Sequence, residues 1–213
     1  MMNERTLLRC ARFLSTLFSP FYMTFAVFVC ILFYSFRRLL YVGFIPSVWG
    51  YMILLFMVMC FTVILPQLSI VLFRRIMKQG GWVSSQRRSR TVPYIIAILS
   101  YLACIIMLSM LNAPTYLLGL VVSALVSIML CALINVWWKV STHMVALGGV
   151  TAVIGICGMV MNFNPLFYLC LLFLLSGVVG TSRMILRQHT LSQVLWSYVL
   201  GLTCSAYFFL KGF

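Results

Sequence analysis

Seven apolar runs, each about as long as a helix needs to be to cross a bilayer, divide this chain and leave it few alternative folds. They cover residues 13–36, 48–73, 93–111, 116–137, 143–161, 165–185 and 193–210. Roughly 20 apolar residues span the hydrocarbon of a membrane. In lipid each backbone N–H and C=O must be satisfied within the protein, so isolated runs of this length read as helices. The expected fold is all-α: one polytopic membrane domain over residues 1–213 with about seven transmembrane helices. The basic N-terminus leads into a run that is too long for a signal h-region and is followed by no small-residue cleavage site, so it reads as a first span.

The punctuation supports this division. Asn112-Ala113-Pro114 and Asn162-Phe163-Asn164-Pro165 read as tight turns between runs. Pro20 and Pro66 fall inside runs and should kink them. Trp82, Trp137, Trp138 and Trp196 stand near run ends, where interfacial aromatics sit. Gly148, Ala152 and Gly155 share one face of the fifth run, and Ser176 and Gly180 one face of the sixth. Small faces let helices approach closely in lipid, so the last three helices should form a compact core. The eight cysteines are scattered without a CxxC pair and read as small apolar residues, with no disulfide framework and no metal site.

A net charge of +14 on a chain that is 64% hydrophobic has its ordinary explanation in membrane topology and lipid headgroups, and nucleic acid is excluded as a partner. Lys and Arg divide unevenly between the two sides. Twelve fall on the N-terminal side (Arg5, Arg9, Arg12, Arg74, Arg75, Lys78, Arg87, Arg88, Arg90, Lys139, Arg183 and Arg187) and three on the other (Arg37, Arg38 and Lys211). This bias puts the N-terminus in the cytoplasm. It also brings three polar segments, 86–93, 139–143 and 183–193, to one face, as a shared site requires.

Those segments hold both histidines of the chain, His143 and His189, each accompanied by Arg or Lys. Ionisable residues at membrane depth are costly and are functional candidates by default. Ser141 and Thr142 stand where the fifth helix starts and are natural N-caps. A helix N-terminus offers free N–H groups to an anion. Gln193 follows His189 by four residues, so on a helical turn it would share a face with the imidazole and hold it through its side-chain carbonyl. Arg90, Arg183 and Lys139 would surround a bound phosphate. Glu4 is the only carboxylate side chain, which disfavours Asp-rich metal chemistry and proton transfer through buried acids.

Taken together, residues 86–201 resemble the membrane-bound type-2 phosphatidic acid phosphatases, the lipid-phosphate phosphatase superfamily. Its motifs are Lys-x6-Arg-Pro, Pro-Ser-Gly-His and Ser-Arg-x5-His-x3-Asp. This chain offers Gln86-Arg87-Arg88-Ser89-Arg90-Thr91-Val92-Pro93, then Val140-Ser141-Thr142-His143, then Ser182-Arg183-x5-His189-x3-Gln193. The run from Trp137 to His143 is most similar to a divergent bacterial branch.

The resemblance implies a core over 86–210, with residues 13–73 accessory. It implies metal-independent hydrolysis of an isoprenoid or glycerolipid phosphate or pyrophosphate, without a cofactor. His189 would be the nucleophile, His143 the general acid and Gln193 the group orienting His189. Arg183, Arg90, Ser141, Lys139 and Arg88 would bind phosphate. The chain departs from the motifs in having Gln193 for Asp, no Lys at the expected spacing, and Pro93 three residues after Arg90. The superfamily's site also usually faces away from the cytoplasm. Expected partners are the lipid phosphate and membrane lipids, with a homo-oligomer allowed. The expected location is the bacterial cytoplasmic membrane. Two other readings stand beside this one: a degenerate relative that binds or moves lipid phosphates, and a structural subunit.

Overall fold

Long apolar sequence leaves the backbone little but the helix, and the computed structural model is helical in all its regular elements. It describes the backbone of residues 4–41, 48–79, 86–161 and 163–212, and the side chains there except at 4–5, 34–41, 48, 74, 76–79 and 86–91. Trp82 lies outside these residues. The helices are α1 (Glu4–Leu17), α2 (Pro20–Tyr41), α3 (Val48–Met59), α4 (Leu65–Gln79), α5 (Gln86–Met110), α6 (Thr115–Ile134), α7 (Thr142–Val160), α8 (Leu166–Ile185) and α9 (Leu191–Leu210). A π-helical turn, Cys60–Ile64, joins α3 to α4. Among the described residues, six helical stretches are long and apolar enough to cross a membrane, the first being Trp49–Phe73 across the π turn. A seventh is reached if α1 and α2 count as one span bent by 48°. The chain is a multi-pass membrane protein built as an all-α bundle.

The two internal prolines are accommodated differently: the run breaks at Pro20, and at Pro66 the helix continues through a π turn. Ser19 precedes Pro20, and the residue before a proline is pushed out of the helical region. The first run therefore breaks into α1 and α2. Pro66 has no N–H, and the π turn immediately before it widens the helix, with the Leu65 N–H bonded to the Cys60 carbonyl. Pro93 corrects an expectation. It does not start a helix but stands inside α5, whose first two turns are the polar segment from Gln86.

The helix ends follow local chemistry. Asn112 and Arg187 have φ of 52°, in the left-handed region. Each closes a Schellman turn. After α5, Ala113 N bonds Leu108 O and Asn112 N bonds Ser109 O; after α8, Gln188 N bonds Arg183 O and Arg187 N bonds Met184 O. Asn tolerates this conformation; Arg is there against its preference.

Buried residues of α2, α3, α5, α6, α7 and α9, among them Leu32, Val58, Leu108, Leu117, Val153 and Phe209, form the main core. The most enclosed helix is α7, with 67% of its span buried against 22% for α8. The tightest contact is between α7 and α9, and glycine makes it. A Cβ on Gly201 would overlap the Val145 carbonyl, and one on Gly148 would overlap the Tyr198 carbonyl. The expected small-residue face is therefore only partly used: Gly148 packs, its neighbour Gly149 meets Ser205, and Gly155 has open space. The compact pair is α7 with α9, while α8 rests on α7 and α1.

This difference predicts opposite outcomes for two similar substitutions. Gly201→Ala should cost about 1–3 kcal/mol through overpacking. Gly155→Ala should gain about 0.5–1 kcal/mol, because alanine is the better helix former. Thermal unfolding of the purified variants in detergent checks both, and a Gly201→Ala protein as stable as the parent would refute the close backbone contact.

Candidate functional site

Three elements position the polar groups at one end of the bundle. The Schellman turn at Arg187 stops α8 and reverses the chain, so that His189 falls back beside Arg183, six residues earlier. Thr190 then starts α9 with a capping box: its side chain accepts from Gln193 N, and its N–H donates to Gln193 Oε1 at 3.2 Å. On α7, Ser141 is the N-cap by backbone conformation, and its N–H donates to Ser197 Oγ at 2.9 Å. Ser197 in turn donates to the Gln193 carbonyl. Lys139 Nζ donates to the Gln188 carbonyl at 2.5 Å, tying the α6–α7 connection to the α8–α9 connection.

Arg183 is the centre of the group. Its Nη1 donates to Ser15 Oγ at 2.7 Å, and its Nη2 lies 3.5 Å from His189 Nε2. Guanidinium can only donate, so His189 offers a lone pair at Nε2 and carries its proton on Nδ1. The Ser15 carbonyl lies 2.9 Å from His143 Nε2 and can only accept, so His143 is protonated at Nε2. The buried Nδ1 atoms of both histidines and Nε of Arg183 have no hydrogen-bond partner. Among the described residues no carboxylate side chain opposes these cations, and no cluster of His, Cys, Asp or Glu could hold a metal ion.

Of the residues singled out from sequence, His143, Lys139, Arg183 and His189 line one cavity of about 550 Å³. Ser141 is fully buried, its hydroxyl has no partner, and it is not among the lining residues. His189 precedes α9 instead of lying on its first turn, but Gln193 stays beside it: its side-chain carbonyl accepts from Thr190 N in the capping box, and the same side chain acts on the imidazole to oppose the fall in its pKa. The Arg88 and Arg90 side chains lie outside the described residues.

Sequence reasoning missed Ser15, which joins His143 to Arg183 across more than a hundred residues. The available signal was the polar group Ser15, Thr16 and Ser19 beside Pro20 in an otherwise apolar run. A small cluster of Met144, Leu147, Val179 and Val194, with Phe18 packed on it, seats the end of α1 there.

Burial, then Arg183, then Lys139, push the His189 pKa from 6.5 down to about 4, with Gln193 opposing the shift. The imidazole is therefore neutral at pH 7, the nucleophilic form. No protein-family model matches the chain, and no curated protein or solved structure is similar to it.

The pKa shift predicts an acid-sensitive fold. An unfolded His189 takes up its proton near pH 6.5 and the folded one only near 4. Between these values the unfolded chain binds more protons, so the contribution to stability is complete above 6.5 and is lost as pH falls toward 4. Thermal unfolding across that window should show a shallower decline for His189→Asn than for the parent. Equal slopes would mean that His189 is not held neutral by the fold.

Proposed function

We propose that this chain is a metal-independent phosphatase of lipid phosphates or pyrophosphates that works through a phosphohistidine on His189. One observation carries the reading. Arg183, in a membrane bundle, has a buried Nε without a partner and, among the described residues, no opposing carboxylate side chain, and it shares a cavity with two imidazoles. A cation so placed is costly until an anion joins it. Phosphate oxygens match the guanidinium fork, and Lys139 adds charge beside it.

The chemistry follows from the proton positions. The Nε2 lone pair of His189 attacks phosphorus and the bond to the leaving oxygen breaks. A lipid phosphate has its second ionisation near pH 6, so a bound monoanion brings its own proton. His143, with Nδ1 free, relays that proton to the leaving oxygen. Water then attacks the phosphohistidine, giving up a proton to His143, and inorganic phosphate departs. Covalent catalysis divides one difficult displacement into two easier ones. Arg90 and Arg88 complete the phosphate shell in this reading, and the site faces the cytoplasm of a bacterial cell.

A second reading has its own support. Ser15 already takes one hydrogen bond from His143 and one from Arg183. A protein that binds or moves lipid phosphates without cleaving them needs neither interaction released during a reaction.

Phosphate release by purified protein in EDTA, from a panel of lipid phosphates and pyrophosphates, tests the first reading. His189→Ala should abolish turnover and the acid-labile phosphoprotein while leaving the fold intact. An active, folded His189→Ala variant excludes the phosphohistidine. Arg183→Ala should weaken lipid-phosphate binding by about 10–100-fold, the worth of a charged hydrogen bond. If the parent binds with that dependence but never turns over, the second reading holds. For sidedness, a cysteine at Gln86 in a cysteine-free background should resist an impermeant reagent added to intact cells, and labelling from outside would invert the topology.

A further inference from the structure

The cavity that holds the histidines continues far below them, and its walls are stripes of helix. On α7, His143, Ala146, Val150 and Val153 follow one another at helical spacing down one face. On α6, which runs the opposite way, Cys131, Ile128, Ala124 and Leu120 do the same. Pro93, Ala97 and Tyr101 on α5 make a third stripe, and α2 supplies a fourth that ends at Val27. At 1.5 Å per residue, the ten residues from His143 to Val153 reach about 15 Å, half the thickness of the hydrocarbon core. Val27, Tyr101, Leu120 and Val153, farthest along these stripes from the histidines, are buried members of the main core.

Below the polar mouth the walls offer little to a polar ligand. Ser127 donates to the Ser123 carbonyl, Ser123 to the Leu120 carbonyl, and Thr24 to the Pro20 carbonyl, each at about 2.7–3.1 Å. The protons of these hydroxyls are spent on their own helices, and the Tyr101 hydroxyl is paired with Thr24. What they leave is width, because Ala97, Ala124, Ala146 and Gly149 are small.

Resting on the proposed phosphatase reading, we infer that the substrate is a single-chain lipid phosphate, an alkyl, short prenyl or monoacyl phosphate. Its headgroup lies between His143, Arg183 and His189, its tail runs down inside the bundle, and Val153, Leu120 and Ala124 set the tail's length. An extended chain advances about 1.25 Å per carbon, from C–C bonds of about 1.52 Å and near-tetrahedral angles, so the 15 Å depth takes about twelve carbons. A volume near 550 Å³ is that of a pocket for one small ligand. A two-chain glycerolipid or a long polyprenyl chain exceeds it.

The test measures binding and turnover of straight-chain alkyl phosphates, from hexyl to hexadecyl, by the full chain in nanodiscs. Affinity should rise about fourfold per added methylene until about dodecyl and then level off. Ala124→Leu and Val153→Phe fill the lower cavity and should move that break to a shorter chain. Hexadecyl phosphate binding should weaken at least tenfold and hexyl phosphate binding should change by less than about threefold, which also shows the variants folded. Ala124→Leu alone suffices if Val153→Phe does not fold. An affinity that climbs without a break, a break that neither variant moves, or competition by dioleoyl phosphatidic acid equal to that by dodecyl phosphate overturns the inference. Turnover without a break leaves the phosphatase reading standing and removes this one. A moving break in binding with no turnover of any substrate keeps the single-chain pocket and removes the phosphatase.

Discussion

The backbone contact between α7 and α9 at Gly148 and Gly201 is what the rest of the molecule depends on. In lipid there is no hydrophobic drive to bring two apolar helices together, so close packing must come from surfaces that fit. The two helices run parallel, and their N-termini meet at the same end of the bundle, where Ser141 of α7 bonds Ser197 of α9. That contact brings His143, on the first turn of α7, and His189, just before the first turn of α9, to the wall of one cavity. It also gathers two positive helix ends beside Arg183 and Lys139, with no carboxylate side chain among the described residues to offset them. The same packing that stabilises the bundle thus leaves its polar end short of an anion.

How the protein tolerates this without a ligand is visible at Ser15. The hydroxyl accepts from Arg183 and the backbone carbonyl accepts from His143, so one residue of α1 satisfies part of two expensive groups. The break before Pro20 matters here, since a straight first helix would carry Ser15 along the axis of α2. Three buried nitrogens still lack partners: Nε of Arg183 and Nδ1 of each histidine. Leaving such groups unsatisfied is the exception in folded proteins, and at functional sites it has a ready explanation in a ligand that completes them.

Polar mouth and apolar shaft are one cavity. A phosphate alone would need only the mouth, and a lipid tail alone only the shaft. An amphiphile with one chain uses both, and its tail adds affinity without asking anything more of the few polar groups. The lower serine and threonine hydroxyls donate within their own helices, so an apolar tail beside them would strand no donor.

Much of the architecture was legible in the sequence because it rests on local physics. Runs near 20 residues long, a proline that breaks the first of them and turns between others gave the helices, the break at Pro20 and the end of the bundle shared by His143, Arg183 and His189. The spacing from Arg183 to His189 was readable too, although its cause, a left-handed Arg187, was not, since arginine carries no signal for that conformation. What only the tertiary structure decided is what depends on which helices touch. Gly201 rather than Gly155 meets the facing helix. Gln193 caps α9 while also acting on His189, Ser15 reaches both His143 and Arg183, and stripes of small residues on separate helices face one another around a cavity. Period and composition tell a helix which of its faces is small or polar, but the identity of the neighbour comes from packing between segments far apart in the chain, and that information is written in no single segment.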